Sequence, residues 1–242
     1  MIVIATHNSP ESLERLLNSI SLYWNDLEFW DEGAPKGWEG DYCDVLVVGT
    51  SKGQEAIARQ AMKNWGSATN ISIRFTEVPW ENSGYDTGAY IWAFQQYKAM
   101  SYLFMHDSMV ITGKDWLKQF HEIAKQGADV VPWCTFSPYL LGVEQDEERI
   151  IRDTYGLYEE PGYGFFGPIF WAKRSALKKI KDAGYMNYIP SQKKQAQACE
   201  RFWSLYCARL KIPVIPVHPD GFATVYHGSQ HPNISKHFLR RP

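Results

Sequence analysis

"SYLFMHDSMVITGKDWL", Ser101 to Leu117, decides how this chain is read. Tyr102 to Met105 are apolar residues of strand propensity, and they run into His106-Asp107-Ser108. The chain then turns through Gly113-Lys114 into an amphipathic helical pattern. A buried strand that closes on a carboxylate between an imidazole and a hydroxyl has either reached water or is delivering a ligand. The segments on either side choose between the two.

Upstream, "MIVIATHN" reads as a short strand with a polar end. "SPESLERLLNSISLYW" reads as a helix, with Ser9 as N-cap, Pro10 at its first position, and Leu13, Leu16, Leu17 and Ile20 on one face. "NDLEFWDEGAPKGWEGDY" is a Gly- and Pro-punctuated loop. "CDVLVVGTS" and "GQEAIARQAMKNW" give a second strand and helix, and "NISIRFTEVP" and "DTGAYIWAFQQYKA" a third pair. Downstream of the opening strand, "KDWLKQFHEIAKQ" is the fourth helix. "DVVPWCTF" reads as a strand, "PIFWAKRSALKKIKDAG" as strand then helix, "QKKQAQACERFWSLYCARLKI" as a helix and "PVIPV" as a short strand. Between them "SPYLLGVEQDEERIIRDTYGLYEEPGYGFFG" has no clear period, and Tyr139 to Gly164 is expected to close over a ligand as a lid.

Four strand–helix alternations predict an α/β fold, a mostly parallel central sheet flanked by helices, in one domain spanning 1–242. Ligands of such sheets bind beyond the carboxyl ends of the strands. Thr6-His7-Asn8, Gly49-Thr50-Ser51 and His106-Asp107-Ser108 are therefore expected at one edge.

The 242 residues, 45% of them hydrophobic, suffice for one core of ordinary size. A net charge of -2 gives no basic field for nucleic acid or an anionic membrane. Aromatics reach 15%, which suits sugar stacking, although the core takes the larger share. Cys43, Cys134, Cys199 and Cys207 show no C-x-x-C spacing, which argues against structural zinc and for a reducing compartment. A strand beginning at Met1 and the lack of an apolar run near the roughly 20 residues of a membrane helix predict a soluble, cytoplasmic chain without a leader or transmembrane segment.

The sequence has no G-x-G-x-x-G after its first strand, no P-loop, no H-E-x-x-H and no G-x-S-x-G, which disfavours dinucleotide dehydrogenases, P-loop enzymes, zincins and ordinary hydrolases. Asp107 is a candidate ligand for Mg²⁺ or Mn²⁺, against the plainer reading of a turn residue or cap. His227 in "VYHGSQH" could complete a metal shell, or be an idle tail residue. Glu200 in "ACERFWSLY", near the start of a helix, is either a general base among aromatics or a first-turn acid favoured by the helix dipole. Asp86 in "ENSGYDTGAY" is either an N-cap or an acceptor for sugar hydroxyls.

These segments, in this order, resemble the GT-A glycosyltransferases, closest to the family-2-like inverting enzymes of polysaccharide and rhamnan synthesis. "IVIATHNSPESLERLLNSI" resembles the family's opening strand and helix, and "ENSGYDTGAYIWAF" its N-x-G segment. "YLFMHDSMVITGKDWL" stands in the place of the D-x-D strand. "GYGFFGPIFWAKRSAL" is similar to the acceptor-side loop, "CERFWSLYCARLKIPVIPV" to the [ED]-D segment, and "VYHGS" to the C-terminal histidine motif. The resemblance spans nearly the whole chain, with a nucleotide-binding half over about 1–115 and an acceptor-binding half over about 116–242.

The resemblance implies transfer of a sugar from a nucleoside-diphosphate sugar to an acceptor hydroxyl of a glycan or glycoconjugate, with inversion and with Mn²⁺ or Mg²⁺. It assigns Asp107 and His227 to the metal, and Thr6, His7, Asn8, Ser51, Asp86, His106 and Asp107 to the donor. It makes Glu200 the base and puts Gly167, Trp171 and Trp203 on the acceptor side. The chain departs from the pattern in three places: one carboxylate in His106-Asp107-Ser108, none in Gly49-Thr50-Ser51, and one acid in Cys199-Glu200. A catalytically inactive carbohydrate- or nucleotide-binding module is the alternative these departures keep open. A sugar nucleotidyltransferase would want a basic Gly-rich loop where "ATHNSPESL" stands.

Overall fold

The computed structural model describes residues 1–6, 10–23, 43–66, 71–79, 85–136, 145–157, 164–165, 169–219 and 234–236. The first half alternates strand and helix: β1 (Ile2–Ala5), α1 (Pro10–Leu22), β2 (Val45–Gly49), α2 (Lys52–Gly66), β3 (Ile73–Glu77), α3 (Tyr85–Gln96) and β4 (Ser101–His106). Then follow β5 (Met109–Ile111), α4 (Trp116–Lys125), β6 (Val130–Pro132), β7 (Thr135–Phe136), α5 (Gln145–Tyr155), β8 (Gly164–Phe165), β9 (Ile169–Lys173), α6 (Arg174–Asp182), α7 (Lys193–Arg209) and β10 (Ile234–Lys236).

Six strands form one sheet in the order β3-β2-β1-β4-β9-β6. β3, β2, β1 and β4 are parallel, whereas β9 runs antiparallel to both β4 and β6. β1 is central, with Ile2 opposite both Val45 and Leu103, and Ala5 opposite Val48 and His106. That register brings the carboxyl ends of β1, β2 and β4 to one edge, as the alternation predicted.

The period of two along each strand divides the core. Val3, Ala5, Leu46, Val48, Tyr102, Phe104 and Phe170 face α3, α6 and α7 on one side. Ile2, Ile4, Val45, Val47, Leu103, Met105 and Trp171 face α1, α2 and α4 on the other. Because both faces are covered, the strands read as continuous apolar runs rather than alternating ones. Leu13, Leu16, Leu17 and Ile20 of α1 are fully buried on the second side, each stabilising the docked helix by about 1.5–3 kcal/mol.

Several elements differ from the sequence expectation. The aperiodic stretch contains α5, whose "QDEERIIRDTY" is so charged that only Glu148 and Ile151 are buried among its described side chains, while Ile150 is exposed. Only Ile150, Ile151 and Tyr155 are apolar in it, so the stripe rests on few residues. "PVIPV" makes one isolated bridge, Val130 to Val214, in place of a strand, and His218 just after it makes another with Cys134. Its prolines lack the N–H that a ladder requires. "DVVPWCTF" splits into β6 and β7, and β5 and β10 pair antiparallel in a small second sheet.

Candidate active site at the carboxyl edge of the sheet

Three chain segments meet where β1 and β4 end. Asp107 N donates to Ala5 O at 3.0 Å, carrying the β1–β4 ladder one residue past the strand. That bond turns the Asp107 side chain towards β1, where Thr6 Oγ1 donates to its Oδ2 at 2.7 Å. Thr6 and Asp107 are 0% and 1% exposed. A buried carboxylate needs such donors, so Asp107 is not a strand end that has simply reached water.

His106 is oriented from both sides. Ser108 N donates to its Nδ1 at 3.0 Å, and Ser108 Oγ lies 2.6 Å from the same nitrogen. Nδ1 is therefore an acceptor, which puts the ring proton of the neutral imidazole on Nε2. Nε2 lies 3.2 Å from Asp86 Oδ1, and Nδ1 lies 3.4 Å from Asp107 Oδ1. One imidazole thus stands between the carboxylate at the end of β4 and the carboxylate at the head of α3. Asp86 is the second residue of α3, inside the first turn rather than an N-cap. It follows Tyr85, whose φ of 53° is left-handed, a conformation costly to a residue with a side chain and recurrent at functional sites.

Glu200 comes from α7, on the same side of the sheet as α3. It lies in the middle of that helix rather than near its start, so the first-turn dipole reading does not apply. Its charge, with those of Asp86 and Asp107, reaches Tyr90 of α3. Burial and these three carboxylates hold the Tyr90 phenol well above its ordinary range. Neighbouring Cys199 is pushed up to about 12 by burial and then by Glu200, which keeps it a neutral thiol rather than a nucleophile.

Ser51 follows the end of β2, at the edge where β1 also ends. It caps α2: Gln54 N donates to Ser51 Oγ at 3.3 Å, and Gln54 Oε1 accepts from Thr50 N and Ser51 N at 3.0 and 3.1 Å. This reciprocal box closes the loop on itself. Gly49 is needed for it, because a Cβ there would lie 2.5 Å from Gln54 Oε1 and 2.9 Å from Thr6 Cγ2.

The acceptor-side residues separate. Trp203 is buried in the α7 core, its ring 5.2 Å from that of Phe170. Trp171 lies on the opposite face of the sheet, with α1, α2 and α4, and lines a cavity of about 560 Å³ with His121, Lys125, Lys173, Arg174 and Lys178. The strand alternation that sends Phe170 towards α7 sends Trp171 away from it. His7, Asn8, Gly167 and His227 lie outside the described residues.

The structure brings Thr6, Asp86, His106 and Asp107 together and adds residues that motif reading passed over. Tyr90 carried one signal, its place four residues after Asp86 on the same helix face. Arg201 Nη1, next to Glu200, bonds Glu148 Oε1 at 2.6 Å and fastens α5 to α7. That pairing of distant residues had no sequence signal. Among the described residues no three His, Cys, Asp or Glu side chains cluster as a metal site, and no helix is long and apolar enough to cross a membrane.

No family profile and no curated protein matches the sequence. Solved structures do. The mannosyltransferase of Pyrobaculum calidifontis, in complex with GDP-Man and Mn²⁺, is 14% identical at a TM-score of 0.53, over 90% of this chain and 55% of that one. A mycobacterial protein is 12% identical at a TM-score of 0.50, over 90% of this chain and 65% of that one. Glucosyl-3-phosphoglycerate synthase of M. tuberculosis is 12% identical at a TM-score of 0.50, over 100% of this chain and 72% of that one. The chain spans little more than half the length of the mannosyltransferase. Sheet order, carboxyl-edge site and these likenesses define the class: the fold is that of the GT-A glycosyltransferases.

Proposed function

We propose that the chain is a glycosyltransferase that moves a sugar from a nucleoside-diphosphate sugar to an acceptor hydroxyl of a glycan or glycoconjugate, with inversion. The observation that carries the reading is the buried Thr6–Asp107–His106–Asp86 constellation at the carboxyl edge of a GT-A sheet. A buried cluster of carboxylates this elaborate is costly unless it serves a ligand.

A divalent ion fits the donor chemistry of this edge. Hard cations take oxygen ligands, often one or two carboxylates together with substrate phosphates, and Asp107 offers one carboxylate. Asp107, with His227 of the C-terminal segment, would hold Mn²⁺ or Mg²⁺. Bound there, the ion would offset charge building on a leaving diphosphate.

The residues of the chain do the rest. Thr6 fixes the Asp107 carboxylate, and Asp86 accepts hydroxyl protons of the donor sugar or ribose. His106 places its Nε2 3.2 Å from Asp86 Oδ1, where α3 comes up to the end of β4. Glu200 takes the proton of the acceptor hydroxyl, whose oxygen attacks the anomeric carbon from the face opposite the departing diphosphate. The C–O bond to the diphosphate breaks as the new one forms. General-base help of this kind is worth roughly 10²–10⁴-fold.

Release of nucleoside diphosphate from a panel of UDP-, GDP- and TDP-sugars, with Mn²⁺ and candidate acceptors, tests the reading. Acceptor-dependent release with one donor is the expected result. Binding of a nucleotide sugar with no release across the panel would favour the inactive module instead. The single-acid sites His106-Asp107-Ser108 and Cys199-Glu200 keep that second reading in view.

A further inference from the structure

Tyr90 is 1% exposed, and among the described residues its phenol oxygen has no hydrogen-bond partner. Leaving a buried O–H unpaired costs about 1–3 kcal/mol. The ring itself is well held, 4.7 Å from Phe104 and 5.8 Å from Phe170 in an edge contact. Packing therefore determines the place of the ring, and a phenylalanine would satisfy it equally. Tyr102, in the same core, shows the contrast. Its O–H donates to Tyr97 O at 2.7 Å and its oxygen accepts from Ala99 N at 3.2 Å. One tyrosine uses its oxygen for the fold, and the other does not.

Helical side chains lean over the turn that precedes them. Tyr90 therefore reaches back towards Asp86, four residues earlier on α3. The charges acting on its oxygen come, in order, from Asp86, Glu200 and Asp107. Carboxylates only accept hydrogen bonds. A sugar hydroxyl that gives its proton to one of them keeps lone pairs that need a donor. The Thr6 O–H is committed to Asp107, whereas the Tyr90 O–H is uncommitted. Thr6 and Asp107 are as covered as Tyr90.

We infer that Tyr90 is a donor-sugar-binding residue, whose O–H is reserved for a hydroxyl oxygen of the sugar carried by the nucleotide. The inference rests on the glycosyltransferase reading and names which part of the donor this side chain meets.

Tyr90→Phe removes one oxygen and leaves the packing. The test compares wild type and variant in thermal melting and in calorimetric titration, with Mn²⁺, of UDP, GDP and TDP and their sugar conjugates. The variant should melt at the same temperature or higher, because an unpaired polar atom has gone. It should bind the nucleoside diphosphate within about twofold of wild type and the nucleotide sugar about tenfold more weakly, the loss of one hydrogen bond of about 1.4 kcal/mol. A lowered melting temperature would show the O–H to be spent on the fold and would overturn the inference. Equal affinity of the two proteins for the nucleotide sugar, or equal loss for diphosphate and conjugate, would overturn it too. Those results remove Tyr90 alone. A wild type that binds no nucleotide sugar removes the glycosyltransferase reading, and the sugar assigned to Tyr90 with it.

Discussion

Thr6 Oγ1 donates to Asp107 Oδ2 at 2.7 Å, a bond across 101 residues that locks the ends of β1 and β4 together inside the core. Thr6→Val keeps the shape and removes the donor from a buried carboxylate. Hydrogen bonds to charged groups contribute about 1.5–3 kcal/mol, and a loss of that size should appear in urea denaturation. Thr6→Ser, which retains the hydroxyl, should recover most of it. If valine and serine lose equally, the methyl group and not the hydrogen bond is what matters at this position.

Glu200→Gln should lower turnover by roughly 10²–10⁴-fold, the worth of a general base, and leave nucleotide affinity unchanged. Its place in the middle of α7, rather than at the helix start, means that no dipole stabilisation is lost with the charge. Steady-state rates beside calorimetric binding separate the two effects. Near-normal turnover in the variant would take Glu200 out of the base role.

The sheet and the position of Asp107 were legible because both depend on short-range pattern. Apolar runs such as Ile2–Ala5 and Val45–Gly49 announce buried parallel strands, and the polar residues after them mark the carboxyl edge. What joins the ends was not legible. His106 reads as a flank of Asp107, yet its Nε2 lies 3.2 Å from Asp86 Oδ1 of α3, twenty residues earlier. That contact follows from where α3 docks, which no local spacing encodes. Ser51 shows the reverse case. Its S-x-x-Q spacing is a local capping signal, and the structure makes that cap. Trp171 differs from Phe170 by one residue and one face of the sheet, so assigning a side from a motif alone had no margin.

Arg201 and Glu148 form a mostly buried ion pair between α7 and α5. Breaking it from one side, as in Arg201→Met, takes the guanidinium from a buried carboxylate and should cost about 3–5 kcal/mol. Replacing both, with Glu148→Leu added, should recover much of that. The pair also bears on the expected lid. The α5 part of Tyr139 to Gly164 is fastened by this pair and by buried Ile151 and Leu157. Amide exchange over 145–157 should therefore be slow and unaltered by nucleotide in wild type, and fast in Arg201→Met. Protection that rises on adding nucleotide would return α5 to the closing lid.

None of the four thiols forms a disulfide, all are buried, and burial raises Cys134 and Cys199 to about 12, with Cys207 raised as well. The folded protein therefore keeps these protons at a pH where the unfolded chain releases them, since an unperturbed thiol titrates near 8.5. A group whose pKa is higher in the folded state stabilises fully below the unfolded value. That contribution falls as pH climbs towards the folded value, by about 1.4 kcal/mol per pH unit for each of Cys134, Cys199 and Cys207. Urea midpoints should thus be flat from about pH 6.5 to 7.5 and fall steeply between about 9 and 10. Buried Tyr90 and Tyr206, also raised, add to the slope only above about pH 10, the ordinary tyrosine value. Serine at Cys134, Cys199 and Cys207 would flatten the fall, at some cost in packing. In the native protein near pH 8 a thiol reagent should modify none of the four at an appreciable rate, and all four on unfolding. Rapid modification of Cys199 without unfolding would show its thiol to be neither as buried nor as proton-bound as its place beside Glu200 requires.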